Sequence, residues 1–354
     1  MFYRLNLKLS RENHYFGIPG LCAILLALLV GLGACTKEEI PGPEDPGHTK
    51  AAPVSPMVLV SGLGATVGST VGPDGDLYVT EGSEGKIIRI DPQSGDHSDF
   101  ASGLPAFNPD FGFGGPVDVC FRNGKAYALV TLVGPDVGGS DMVGIYEIDG
   151  NGHGDHEALV DIGQFNILHP PATAFDFPTG VQYSIETYRN GFLVTDGHMN
   201  RVLYVTPGGD ISIVRSFGNI VPTGLDLSGN KIYMAEAGPT PHDPENGKVI
   251  SFVPASRNTK FVASGAPLLV DVEFGFAHRL FALSQGEWEG AFPGAPANAG
   301  TGSLVMANPD GTFTTVVDEL NLPSSLEFIR NTAYIVSLAG EVVTVENVKS
   351  EVPF

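Results

Sequence analysis

From Gly72 to Leu104 short apolar or alternating runs are punctuated by turn residues: GPDGDLYVTEGSEGKIIRIDPQSGDHSDFASGL. The runs are Leu77–Thr80, Ile87–Ile90 and His97–Ala101, separated by Pro73-Asp74-Gly75, Gly82 to Gly85 and Pro92 to Gly95. Such runs, rich in Val, Ile, Tyr and Phe between Gly, Pro and Asp, predict antiparallel strands joined by hairpins. Val67–Val71 supplies a preceding strand and completes a four-stranded meander. One meander cannot cover both of its faces, so the pattern predicts stacking on copies of itself.

The copies follow along the chain. They begin GGPVDVCFRNGKAYALVTL, PTGVQYSIETYRNGFLVTDG, PTGLDLSGNKIYMAEAG and LLVDVEFGFAHRLFALSQG, and a shorter sixth reads PSSLEFIRNTAYIVSLAGEVVTVENV. The residues after the fourth strands are Gly62, Gly103, Gly163, Gly218, Gly265 and Leu320, at intervals of 41, 60, 55, 47 and 55. Four strands per repeat of roughly 40–50 residues predict a β-propeller. The sixth unit lacks a fourth strand, and Met57–Leu63 (MVLVSGL) matches the fourth strands that end SDFASGL and KFVASGA. The expected fold is therefore all-β: a six-bladed propeller over 57–354, closed by an N-terminal strand in the last blade. Borrowing that strand hides two open sheet edges.

Residues 1–34 have a different composition. Arg4, Lys8 and Arg11 precede an apolar run, Leu21–Leu32, too short to span a bilayer comfortably, and Leu32-Gly33-Ala34-Cys35 follows. This resembles a bacterial lipobox and predicts a signal peptide over 1–34, lipidation of Cys35 and export to the outer membrane. The adjacent Thr36-Lys37-Glu38-Glu39 resembles the signals that send lipoproteins to the cell surface. Residues 35–56, rich in Pro and Gly, read as a flexible tether. Only Cys120 then remains as a thiol, in an innermost strand, so no disulfide framework exists.

The chain carries −21, and its first 34 residues hold three Lys/Arg and one Glu, leaving −23 for the rest. That net charge argues against nucleic acid and against docking on anionic lipid, and permits cationic partners or divalent metal.

Sorting the loops by propeller topology separates two faces. Leu104–Gly115, Leu132–Asp141, Ile162–Pro178, Ala237–Gly247 and Gln285–Thr301 fall on one, and tight turns such as Arg122–Gly124 and Pro207–Gly209 on the other. Long loops on a rigid scaffold mark the working face. The expected ligand-binding residues are Asp118, Asp196, Glu236 and Asp271 at the axial mouth, with His198 and Trp288 in the loops above. Gln182, Asp226, Glu273 and Glu327 add to the axial polar groups. Two readings of the acids stay open: a bridging Ca²⁺ ion, or a water-filled channel. Asp149–Asp155 departs from a calcium loop, with His at the fifth place and Val160 at the twelfth, and reads as a hairpin turn. No HExxH, P-loop or Gly-x-Ser-x-Gly motif is present.

TDGHMNRVLYVTPGG (Thr195–Gly209) is similar to the NHL repeat, in which an acid, an Asn and an Arg precede an apolar strand. VLVSGL, GPDGDLYVTE, FPTGV, VPTGL, ALSQGE and LVMANPDGT resemble the ScyD/ScyE family of exported propellers across 57–354. That resemblance implies the fold and export but no activity or catalytic residues. Gluconolactonase-type propellers carry an early Glu-Gly-Pro motif; here Gly72-Pro73-Asp74 stands in that place. The ligand His pattern of strictosidine-synthase-like and amidating-lyase propellers is not visible either. The leading expectation is a monomeric, membrane-anchored propeller binding a protein or small molecule through its long-loop face. The alternatives are a metal-dependent lactonase or lyase at the same mouth, and a structural module of an envelope complex.

Overall fold

The computed structural model describes residues 55–148, 156–172, 176–256, 258–290 and 294–348. The signal segment, Cys35, the start of the tether and the Asp149–Asp155 turn lie outside the described residues.

Strand β1 (Met57–Ser61) is followed by five four-stranded antiparallel sheets. Blade one holds β2 (Thr66–Val71), β3 (Leu77–Glu81), β4 (Lys86–Ile90) and β5 (His97–Ser102); blade two holds β6 (Gly115–Arg122), β7 (Lys125–Thr131), β8 (Gly144–Glu147) and β9 (Glu157–Asp161). Blade three holds β10 (Gln182–Tyr188), β11 (Gly191–Asp196), β12 (Arg201–Val205) and β13 (Ile211–Ser216). Blade four holds β14 (Pro222–Ser228), β15 (Lys231–Glu236), β16 (Lys248–Phe252) and β17 (Thr259–Ser264). Blade five holds β18 (Leu269–Phe274), β19 (Leu280–Ser284), β20 (Gly302–Ala307) and β21 (Phe313–Leu320). In blade six β22 (Pro323–Ile329), β23 (Thr332–Ser337) and β24 (Glu341–Val345) are completed by β1, in the order β1-β24-β23-β22. The fold is the expected six-bladed propeller, and the borrowed strand closes it: Met57 lies opposite Thr344 and Ser61 opposite Glu341.

The period of two explains why the blades stack. Along each second strand, alternate side chains serve opposite neighbours. Leu77 and Val79 pack toward blade six, whereas Tyr78 packs toward blade two. Phe192 and Val194 face blade two, and Leu193 faces blade four. Both faces are buried, so these strands read as continuous apolar runs. The hydrophobic core is accordingly six separate clusters, one between each pair of neighbouring blades.

Every blade repeats one irregularity. The innermost strand slips register against its partner near the long-loop end: between Thr66 and Ser69, Pro116 and Asp118, Gln182 and Ile185, Pro222 and Leu225, Leu269 and Asp271, and Pro323 and Ser325. A β-bulge adds twist and re-aims the side chains after it. One departure from the all-strand expectation is the helix α1 (Ile162–Leu168), inside the loop between blades two and three. Asp161 caps it, its carboxylate accepting from the Gln164 amide at 2.7 Å.

Candidate functional site: the axial channel and its long-loop mouth

Just past the bulges the innermost strands meet around the axis. The carboxylate of Asp118 accepts the amide of Val119 at 2.9 Å and, from the next blade, the amide of Ile185 at 2.8 Å. Asp271 repeats this with Val272 and Leu326, both at 2.8 Å. Gly68 packs against Asp118, and Gly224 against Asp271, so closely that a Cβ on either glycine would overlap the carboxylate. Between blades six and one, the Ser325 hydroxyl accepts the Ser69 amide at 3.2 Å. Two of the expected ligand-binding acids thus stitch neighbouring blades together. Their surroundings place them inside the channel, below the mouth.

A second layer, one alternation further along, holds Glu186, Asp226, Glu273 and Glu327. Asp226 accepts the Phe274 amide of the next blade at 2.8 Å. Burial pushes the Glu186 and Asp271 carboxyls up to about 7. Asp118 rises well above the ordinary range because burial outweighs its amide donors. Glu273 and Glu327 also rise well above it, first through burial and then through repulsion from neighbouring carboxylates. Among the described residues no three His, Cys, Asp or Glu side chains are placed to hold a metal ion. Above these layers Tyr183 reaches from blade three across to blade six, its hydroxyl donating to the Ser324 carbonyl at 2.9 Å. Sequence reasoning missed Tyr183 and Glu186. Aligning the innermost strands would have found Glu186, which stands at the same position as Asp226, Glu273 and Glu327.

At the mouth the ends of the second strands have unlike fates. Asp196 is fully buried. One of its oxygens accepts the amides of Val181 (3.2 Å) and Met199 (3.0 Å), and the other accepts from Asn166 (2.6 Å) and Gln182 (2.8 Å). Asn166, on α1, also accepts from the buried Arg201, which donates in addition to the His169 carbonyl at 2.8 Å. The adjacent Asn200 side chain accepts the amides of Ile220 and Val221, each at 2.9 Å. The acid, Asn and Arg of the NHL-like stretch are therefore a local brace that pins α1 and the next blade to blade three. Glu81 accepts the Gly64 amide, and Gln285 bonds the Ala297 amide at 2.9 Å.

Glu236 differs. It is 6% exposed, yet among the described residues its carboxylate takes no hydrogen bond. Burial pushes it up to about 7 against the pull of Lys248, opposite it on β16. Beside it in the chain, buried His242 bonds the Ala237 carbonyl at 3.1 Å and meets the Trp288 ring edge-on at 5.5 Å. Burial keeps this imidazole below its ordinary value. The Trp288 indole N–H donates to the Ala295 carbonyl at 2.8 Å, leaving part of the ring exposed. On the other side of the mouth Phe111, Phe177 and His198 form a chain of ring contacts at 5.5 and 5.4 Å. Of the six expected site residues, Glu236, His198 and Trp288 sit at the long-loop face, Glu236 buried and the other two partly exposed; Asp118 and Asp271 lie in the channel, and Asp196 is consumed by the brace.

No family model matches the chain, and no curated protein sequence matches it. Solved structures do. A gluconolactonase from Xanthomonas campestris aligns at a TM-score of 0.57 and 12% identity, over 82% of this chain and 89% of that one. A structure described as a putative gluconolactonase aligns at 0.54 and 12%, over 83% and 92%. Virginiamycin B lyase from Staphylococcus aureus aligns at 0.50 and 15%, over 83% and 98%. At these identities the likeness establishes the six-bladed propeller and nothing finer.

Proposed function

We propose that this chain is an exported lipoprotein of the ScyD/ScyE type, held at the outer membrane through Cys35, whose long-loop face binds a small ligand or a partner. The observation that carries the reading is the inequality of the two faces. All five long loops, both aromatic groups and the buried carboxylate of Glu236 share one face. Exposed Asp141, Asp176, Asp243, Glu245, Glu287 and Glu289 make these loops acidic, which favours a neutral or cationic ligand over an anion.

A second reading has one specific observation behind it. A buried carboxyl raised to about 7, with no hydrogen bond among the described residues, suits a general base. A lactonase or lyase working there would use Glu236 to take a proton from water or from substrate carbon.

One experiment separates the readings. Neutral oligosaccharides and glucono-δ-lactone are screened by calorimetry for binding and by titration for acid release. The binding reading expects a ligand that is retained unchanged, with Trp288→Ala weakening it about tenfold or more. The catalytic reading expects turnover that rises with pH through about 7 and falls about 100-fold or more in Glu236→Gln. Binding that ignores Trp288 and depends on tight turns such as Asn230 would overturn both.

A further inference from the structure

The second strands of blades one, three, four and five end at the mouth on Glu81, Asp196, Glu236 and, one residue on, Gln285. The chain itself supplies partners to three of them. Glu81 and Asp196 turn to the backbone just before the innermost strand of their own blade and accept the amides of Gly64 and Val181. Gln285 accepts from Ala297. In blade four the corresponding amides belong to Ile220 and Val221, and Asn200 of blade three takes both, each at 2.9 Å. Pro222 comes next and has no N–H to offer. Glu236 is thereby left with no donor among the described residues, at a burial that matches Glu81 and Gln285. A buried acceptor without a partner calls for a donor from outside the chain.

The surroundings say which donor fits. Ala237 and Trp288 belong to one apolar cluster, and His242 joins them: its ring bonds the Ala237 carbonyl and meets the indole. Trp288 is therefore a partly exposed wall, one imidazole away from the strand end that carries Glu236. The two long loops here, 237–247 and 285–301, contain no Lys or Arg. Their exposed Asp243, Glu245, Glu287 and Glu289 form no ion pair among the described residues. The shorter connections beside them, 217–221, 265–268, 321–322 and 338–340, carry no charge at all. Among the described residues, Lys248 is the one basic side chain at the long-loop ends of the strands in blades four to six. It lies opposite Glu236 and closes no ion pair with it. Acids thus outnumber bases on every element around the mouth at this point, which suits a cation. Glu236 is only 6% exposed, so a compact ammonium on a slim stem reaches it more readily than a broad guanidinium. The stem then lies on the indole.

We propose that the mouth beside blades four and five binds an alkylammonium group, its nitrogen donating to Glu236 and its methylene chain lying along Trp288. This rests on the reading of the long-loop face as the binding face, and names the ligand chemistry there.

The test titrates the intact chain by calorimetry with diaminopentane and with N-acetyl-lysine methylamide, whose only cation is the side-chain ammonium. Binding of both marks a lysine side chain as a sufficient ligand, and binding of the diamine alone marks a free small amine; either supports the proposal. Glu236→Gln should weaken the diamine about tenfold or more and Trp288→Ala about fivefold, with thermal melts checking that both variants fold. Lys248→Gln removes the competing charge and should tighten binding. In the unaltered chain affinity should rise about tenfold from about pH 6 to about pH 8, because Glu236 ionises at about 7. The titratable groups facing it are Lys248 on β16 and His242, whose imidazole burial holds below its ordinary value. The rise should therefore vanish in Glu236→Gln. Pentanediol binding as well as the diamine, displacement by calcium chloride beyond that of sodium chloride at equal ionic strength, or a diamine affinity unchanged in Glu236→Gln overturns the proposal. If the amines fail while a neutral oligosaccharide still binds through Trp288, the ammonium is rejected and the binding face stands. If neither binds, both readings fall.

Discussion

Raising the pH from about 5 to about 8 is expected to cost the propeller about 4 kcal/mol of stability. The cause is the acid layer in the channel. Glu186 and Asp271 titrate at about 7 in the folded state, against about 4 in the unfolded chain. Below the unfolded value both states hold the proton and nothing is lost. Between the two values only the folded state keeps it, so each step up in pH favours unfolding. The decline from these two levels off once both are ionised, above about 7. Glu273 and Glu327 are pushed further and extend it upward. Between pH 5 and a folded value of about 7, one such group loses about 3 kcal/mol. The carboxylates share one channel, so their shifts do not add independently. Surface carboxylates held below their usual range, such as Glu147 beside Lys125, act in the opposite sense as pH falls through that range. Being largely solvated, they contribute little. Urea unfolding across this range should show stability falling with pH, and Glu273→Gln with Glu327→Gln should flatten the fall. A stability that is constant or rising between those pH values contradicts this account of the channel.

Deleting Met57–Ser61 should damage the fold more than any side-chain substitution in the mouth. The deletion uncovers the edge of β24. It also removes Val60 from the cluster that joins blades six and one, with Leu59 packed against it. Two apolar side chains of this size contribute about 4 kcal/mol, and the lost ladder adds to that. The bared edge is a template for intermolecular pairing. The expected product aggregates at micromolar concentration or unfolds well below the intact chain, as read by light scattering and a thermal melt. A monodisperse deletion product with an unchanged melt would mean that the ring does not depend on its borrowed strand.

The blades were legible in the sequence because strands bounded by Gly, Pro and Asp repeat, and because the missing sixth strand had its match at Met57–Leu63. The division of the loops between faces followed from strand order alone. The mouth was harder. Asp118 and Asp196 look alike in sequence, both closing or lining inner strands, yet one bridges blades and the other is enclosed by a loop helix. What separates them is tertiary: the bulge that turns Asp118 toward Ile185, and Asn166 delivered by α1 from 30 positions away. The helix itself was hidden because its seven residues make fewer than two turns, too short for a helical period to show.

The central claim is that the long-loop mouth is the working face. Crystals of the propeller soaked with a library of small neutral and cationic fragments test it most directly. Bound fragments should gather beside Glu236, His242 and Trp288, with fewer or none in the tight turns, and Trp288→Ala should empty the group. Fragments gathering instead at the turns around Asn123 and Asn230, with the mouth bare, would contradict it.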